Sequence, residues 1–75
     1  MEKISYKINS TKLQIYIDGI LHVRIPVNNN TFIYSYIEEE TKTFNIKIKI
    51  NNNTILLMYE SKDIWIKILN ILNNL

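Results

Sequence analysis

Apolar side chains recur along this chain with a period of two, and near the C-terminus with a period close to four. Ile4, Tyr6 and Ile8 alternate with Lys3, Ser5 and Lys7, which predicts a first strand with one buried face. Asn9, Ser10 and Thr11 supply the turn. Leu13, Ile15 and Ile17 form the apolar face of a second strand. Leu21, Val23, Ile25 and Val27 form that of a third, with His22 and Arg24 pointing away. A turn is expected over residues 28–30, and a fourth strand over 31–37. This strand is apolar on both sides, with Phe32, Tyr34 and Tyr36 on one and Ile33 and Ile37 on the other. After a charged loop over 38–42, the fifth strand places Phe44, Ile46, Ile48 and Ile50 inward and Asn45, Lys47 and Lys49 outward. Residues 51–53 turn again, and 54–59 form a sixth strand that is apolar on both faces.

Two details bear on register. A two-residue loop of Asp18 and Gly19 would set Ile15 opposite His22 and mix polar with apolar faces. A three-residue loop over 17–19 pairs Ile15 with Leu21 and Leu13 with Val23, with Gly19 in the left-handed position, so the pattern favours the longer loop. Pro26 has no N–H to give a ladder, which puts the end of the third strand at an edge or bulge.

The period then changes. Ser61 suits an N-cap, and Asp63 adds negative charge to the first turn of a helix over about 61–74. At the helical angle, Ile64, Trp65, Ile68, Leu69, Ile71, Leu72 and Leu75 fall within roughly 160° of arc. Lys67, Asn70, Asn73 and Asn74 take the other side, and Ile66 strays.

These elements predict a mainly β (α+β) chain forming one domain over 1–75. One helix covers only part of a six-strand sheet, and two strands are apolar on both faces. The expected solution is a six-strand antiparallel meander curled into a small roll or partly open barrel, capped by the helix. Burying the spare face in a homodimer is the other solution. The expected core includes Phe44, Ile46, Ile48, Trp65, Ile68, Leu69 and Leu72. Residues 55–59 are β-prone and uncharged, which fits a central strand or a dimer interface.

The pairing of the fourth and fifth strands stays open. With a four-residue loop, Tyr36 lies opposite Asn45, Tyr34 opposite Lys47 and Phe32 opposite Lys49. Aromatics and cations then share an outer face. With a five-residue loop the same aromatics join Phe44 and Ile46 in the core. Phe32, Tyr34, Tyr36, Lys47 and Lys49 are therefore the candidate binding surface.

The stretch 43–72 resembles the C-terminal half of a pleckstrin-homology-like domain. It reads as strand (Thr43, Phe44, Asn45, Ile46, Lys47, Ile48), turn, strand (Thr54, Ile55, Leu56, Leu57, Met58, Tyr59), Ser61, then a helix carrying Trp65, Ile68 and Leu69. The resemblance implies a β-roll with a helical plug. It also implies phosphoinositide or membrane-surface binding, which would want a basic cluster in an early loop. Here Lys3, Lys7 and Lys12 are spread along strand and turn, which argues against a membrane partner.

Composition narrows the remaining classes. With 75 residues and no cysteine, neither disulfides nor thiolate metal sites reinforce the fold. The N-terminal residues lack the unbroken apolar core of a signal peptide, so a soluble, cytoplasmic chain is expected. The net charge of +2 is too small to argue for nucleic acid by itself. Sixteen Ile and eleven Asn with no Ala reflect A/T-rich codons, so the Asn-x-Thr/Ser triplets at Asn9, Asn29 and Asn52 carry little information.

Candidate chemistry is sparse. His22 is the one histidine, so transition-metal ligation lacks ligands. There is no nucleophile elbow, and a single glycine cannot build a phosphate-cradling loop. Glu38, Glu39 and Glu40 read as a solvated acidic turn. No enzyme activity and no cofactor are expected. Three binding classes remain. The first is a protein-binding module, an inhibitor or adaptor of the kind that phages or mobile elements carry. The second is a single-stranded nucleic-acid platform built on the tyrosines and lysines. The third is the lipid reading above.

Overall fold

The alternating stretches become six strands and the final stretch one helix: β1 (Ile4–Asn9), β2 (Lys12–Ile17), β3 (Ile20–Pro26), β4 (Thr31–Glu38), β5 (Thr43–Ile50), β6 (Asn53–Tyr59) and α1 (Lys62–Asn73). The computed structural model describes residues 3–27 and 30–75. The turn expected over 28–30 and the triplet at Asn29 fall partly outside these residues.

The strands form two antiparallel three-stranded sheets, β1-β2-β3 and β4-β5-β6, in place of one continuous six-stranded meander. The break falls where Pro26 ends β3. Proline has no N–H to continue a ladder. Just beyond it, the Val27 N–H is bonded back to the Thr11 carbonyl at 2.7 Å. The expectation that 55–59 is a central strand also changes, because β6 is an edge of its sheet.

The inner faces of both sheets supply one core. Leu13, Ile15 and Ile25 come from the first sheet, Ile46, Ile48, Ile50, Leu57 and Tyr59 from the second, and Ile68 and Leu72 from α1. Phe44 and the α1 residues Trp65 and Leu69 are half-buried. Trp65 and Leu69 pack against this core. The helix contacts β1, β5 and β6. Its start is as expected: the Ser61 hydroxyl accepts from the Ile64 N–H at 3.3 Å, and Asp63 sits in the first turn. Leu75, expected on the apolar stripe, is half exposed beyond the helix end.

The β2–β3 hairpin departs from expectation in an informative way. Ile17 pairs with Ile20, so the loop is the two-residue Asp18–Gly19 turn. Both residues take left-handed φ, 53° and 82°. Such turns match the right-handed twist of the flanking strands. The face conflict that this register creates is removed one step later by a bulge. Tyr16 pairs with Leu21 but Ile15 pairs with Val23, which leaves His22 as the extra residue of β3. Beyond it Leu13 meets Ile25 and both are buried. Leu21 consequently lies beside Tyr16, on the side away from Ile15, and stays exposed. The Asp18 turn is tied to the first sheet's other edge: its N–H donates to the Lys3 carbonyl, and its carboxylate accepts from the Lys3 N–H, each at 2.8 Å.

Candidate binding face

The four-residue loop wins between β4 and β5. Glu38 pairs with Thr43, and Lys42 takes a left-handed φ of 55° to close the turn. Tyr36 therefore lies opposite Asn45, Tyr34 opposite Lys47 and Phe32 opposite Lys49. On the other side of β5, Met58 pairs with Asn45, Leu56 with Lys47 and Thr54 with Lys49. Because side chains alternate across a strand, all of these point to the outer face of the second sheet.

Three rows of side chains result: Phe32–Lys49–Thr54, Tyr34–Lys47–Leu56 and Tyr36–Asn45–Met58. The large apolar members are far from buried. Phe32 is 60% exposed, Tyr34 51%, Tyr36 41%, Leu56 50% and Met58 64%. Lys47 and Lys49 are exposed among them. Directly opposed Cβ atoms lie roughly 4.5–5.5 Å apart, so each lysine leaves the sheet next to an aromatic residue. At the lysine end, Phe32, Tyr34 and Lys49 line a shallow concavity with Asn30, Asn51 and Asn52.

The five surface residues expected from the sequence are thus brought together on one face. Leu56 and Met58 belong to it as well and were not assigned beforehand. They could have been found once the register was fixed, because β6 must place alternate residues on the side of Lys47 and Lys49.

Charge along this face is uneven. Lys47 and Lys49 mark one end. At the other end lie Glu38, opposite Thr43, then Glu39 and Glu40 in the loop, with Glu60 following Tyr59, the partner of Phe44.

Asn45 is the buried member of the face, 2% exposed. Its amide nitrogen donates to the Thr43 hydroxyl at 3.2 Å and to the Thr43 carbonyl at 3.4 Å. Its side-chain oxygen has no hydrogen-bond partner. The Asn45 backbone carbonyl accepts from the Trp65 indole N–H at 2.9 Å. Trp65 also rests on Phe44, with ring centroids 5.3 Å apart. The tryptophan thus fastens the helix to the central strand of this sheet through both its ring and its one polar atom.

His22 does not point away, as the alternation implied. The bulge turns it toward the other sheet, where its Nε2 lies 2.6 Å from the Tyr59 hydroxyl. Redirecting a side chain is a common use of a bulge. Partial burial lowers the imidazole pKa below its usual value and raises that of the phenol. A neutral imidazole and a neutral phenol then share the hydrogen bond.

A second concavity, of about 330 Å³, is lined by Ile25, Val27, Ile33 and Leu72 with Pro26, Thr31 and Leu75. It offers little polar chemistry to orient a ligand. Among the described residues, no three His, Cys, Asp or Glu side chains converge as a metal site would need. No helix of the described residues is long and apolar enough to cross a membrane. No protein-family model, curated protein or solved structure matches this chain.

Proposed function

We propose that this chain is a small non-catalytic protein-binding module, acting as an inhibitor or adaptor by direct contact, and that its docking surface is the outer face of β4–β6. One observation carries the reading: five large apolar side chains, Phe32, Tyr34, Tyr36, Leu56 and Met58, share one face and are each at least 41% exposed. Tyr, Phe and Met are the residues enriched at the cores of protein interfaces. An apolar patch of this kind on a small domain marks an interaction site more often than it marks idle surface. Lys47 and Lys49 would steer and align the partner more than they would add affinity.

A photoreactive phenylalanine analogue placed at Tyr34, with the same group at Ser5 of the first sheet as control, tests the reading. Cross-linked adducts that form from position 34 but not from position 5, and that survive nuclease, are the expected result. Equal labelling from both positions would reject the face.

The register favours a second reading. Aromatics at alternate positions of β4 stand roughly 6.6 Å apart, with lysines beside two of them, which suits stacking of successive bases on an unpaired strand. Fluorescence anisotropy with a labelled oligothymidylate tests this. Binding that weakens steeply with salt and is lost in Tyr34→Ala would favour this reading over the first.

A further inference from the structure

We infer that the partner fitting this face is a second copy of the chain, packed face to face about a two-fold axis running across the strands. The inference rests on the reading that the outer face of β4–β6 is the docking surface, and it names the occupant.

Charge along the face selects the arrangement. Two sheets packed face to face can be related by a two-fold axis in the interface plane in two simple ways. If the axis runs along the strands, the ends of the two faces coincide. Lys47 and Lys49 would then meet Lys47 and Lys49 of the second copy, and Glu38 would meet Glu60, so like charges would be desolvated together. If the axis runs across the strands, the ends exchange. Lys49 of one copy then lies over the end where Glu38 and Glu60 of the other flank Thr43, and the same contact repeats by symmetry. The uneven charge along the face is therefore self-complementary in one arrangement and self-repelling in the other.

The rows agree with the same axis. Exchanging the ends lays the row Tyr36–Asn45–Met58 over the row Tyr34–Lys47–Leu56 of the second copy. Tyrosine meets tyrosine and Met58 meets Leu56, so the apolar side chains cover one another at the middle of the face. Lys49, at the rim, meets the acidic end.

Size sets the strength. Three strands about 4.8 Å apart and eight residues long at about 3.3 Å each give a face of roughly 15 by 25 Å. That is below the area of stable interfaces and in the range of weak, transient ones, so reversible association at high micromolar concentration is expected.

Sedimentation velocity over a wide concentration range, reaching high micromolar, tests the inference. The wild-type chain should dimerise at the top of the range and dissociate as salt is raised. Lys47→Glu with Lys49→Glu should be monomeric, and so should Glu38→Lys with Glu60→Lys. All four positions are exposed, and circular dichroism checks that both variants keep the fold. Mixing the two variants should restore a dimer, because each supplies the charge that the other has reversed. A wild-type chain that stays monomeric at every concentration overturns the second copy as partner and leaves the docking face standing on its cross-links. A wild-type dimer that persists unchanged in both charge variants and in Met58→Glu overturns the face itself. Failure of the mixed variants to associate, where the wild type does, overturns the charge pairing across this face.

Discussion

The two sheets share strand number, antiparallel order and an isoleucine-rich inner face, but their outer faces differ. In the first sheet, the positions facing away from the core include Ser5, Lys7, Gln14 and Arg24. The aromatic there, Tyr16, is engaged locally: its hydroxyl donates to the Gln14 side-chain oxygen at 3.2 Å, and the Lys7 ammonium sits 5.9 Å from its ring centre. This is the usual solvated side of an antiparallel sheet. The second sheet carries Phe32, Tyr34, Tyr36, Leu56 and Met58 in the equivalent place. The contrast shows that an outer face as apolar as this is no general need of the fold, since Leu21 beside Tyr16 is the large aliphatic counterpart on the first sheet. Exposed β-prone apolar strands also carry an aggregation hazard. The proposed contact surface would account for keeping them.

Inner and outer positions of the second sheet should respond very differently to substitution. Ile48, fully buried in β5, should cost about 2–5 kcal/mol when changed to Ala, read by urea denaturation. A loss below about 1 kcal/mol would mean that the inner face is not the core. The next largest effect belongs to the first sheet. Gly19→Val places a β-branched residue at φ +82°, while a side chain there would meet nothing within 4 Å. The cost is therefore backbone strain alone, about 1–2 kcal/mol, and Gly19→Asn should recover much of it. Equal melting temperatures for glycine and valine would contradict the two-residue turn.

On the outer face of the second sheet, Tyr34→Ser and Met58→Ser should each change monomer stability by about 0.5 kcal/mol or less, while removing binding. A large loss of stability would show that the face is covered in the monomer. The smallest effect concerns the polar contact of His22 with Tyr59 between the sheets. His22 has its pKa lowered by burial, so the unfolded chain binds a proton more readily than the folded one. Stability from this source is full above the ordinary histidine pKa, near 6.5, and declines as pH falls through that value. His22→Gln should flatten the slope of melting temperature between about pH 7 and pH 5. An unchanged slope would remove His22 as its cause.

Much of this was legible in the residues. The alternation of Ile46, Ile48 and Ile50 with Lys47 and Lys49 fixed the inner side of β5 without ambiguity. Ser61 and the stripe from Ile64 to Leu72 fixed the helix. The hairpin was not legible, because alternation assumes that each strand keeps one phase. The Asp18–Gly19 turn and the face pattern demanded different phases, and an inserted residue at His22 satisfied both. The same bulge redirected the one histidine, which period-two reasoning had sent to solvent. The division into two sheets was hinted at by Pro26, but a missing N–H says only that pairing weakens there. The outer face of β4–β6 hung on one residue of loop length, a choice that four or five polar residues between strands do not encode.

The register of β4 on β5 is therefore the point on which the account stands. Nuclear Overhauser contacts from the Tyr34 ring, collected with and without a soluble paramagnetic agent on dilute protein, measure it directly. The account predicts contacts from Tyr34 to the Lys47 side chain, and strong broadening of the ring signals by the agent. Contacts from Tyr34 to the methyl groups of Ile46 or Ile48, with ring signals protected from the agent, would contradict it and return the aromatics to the core.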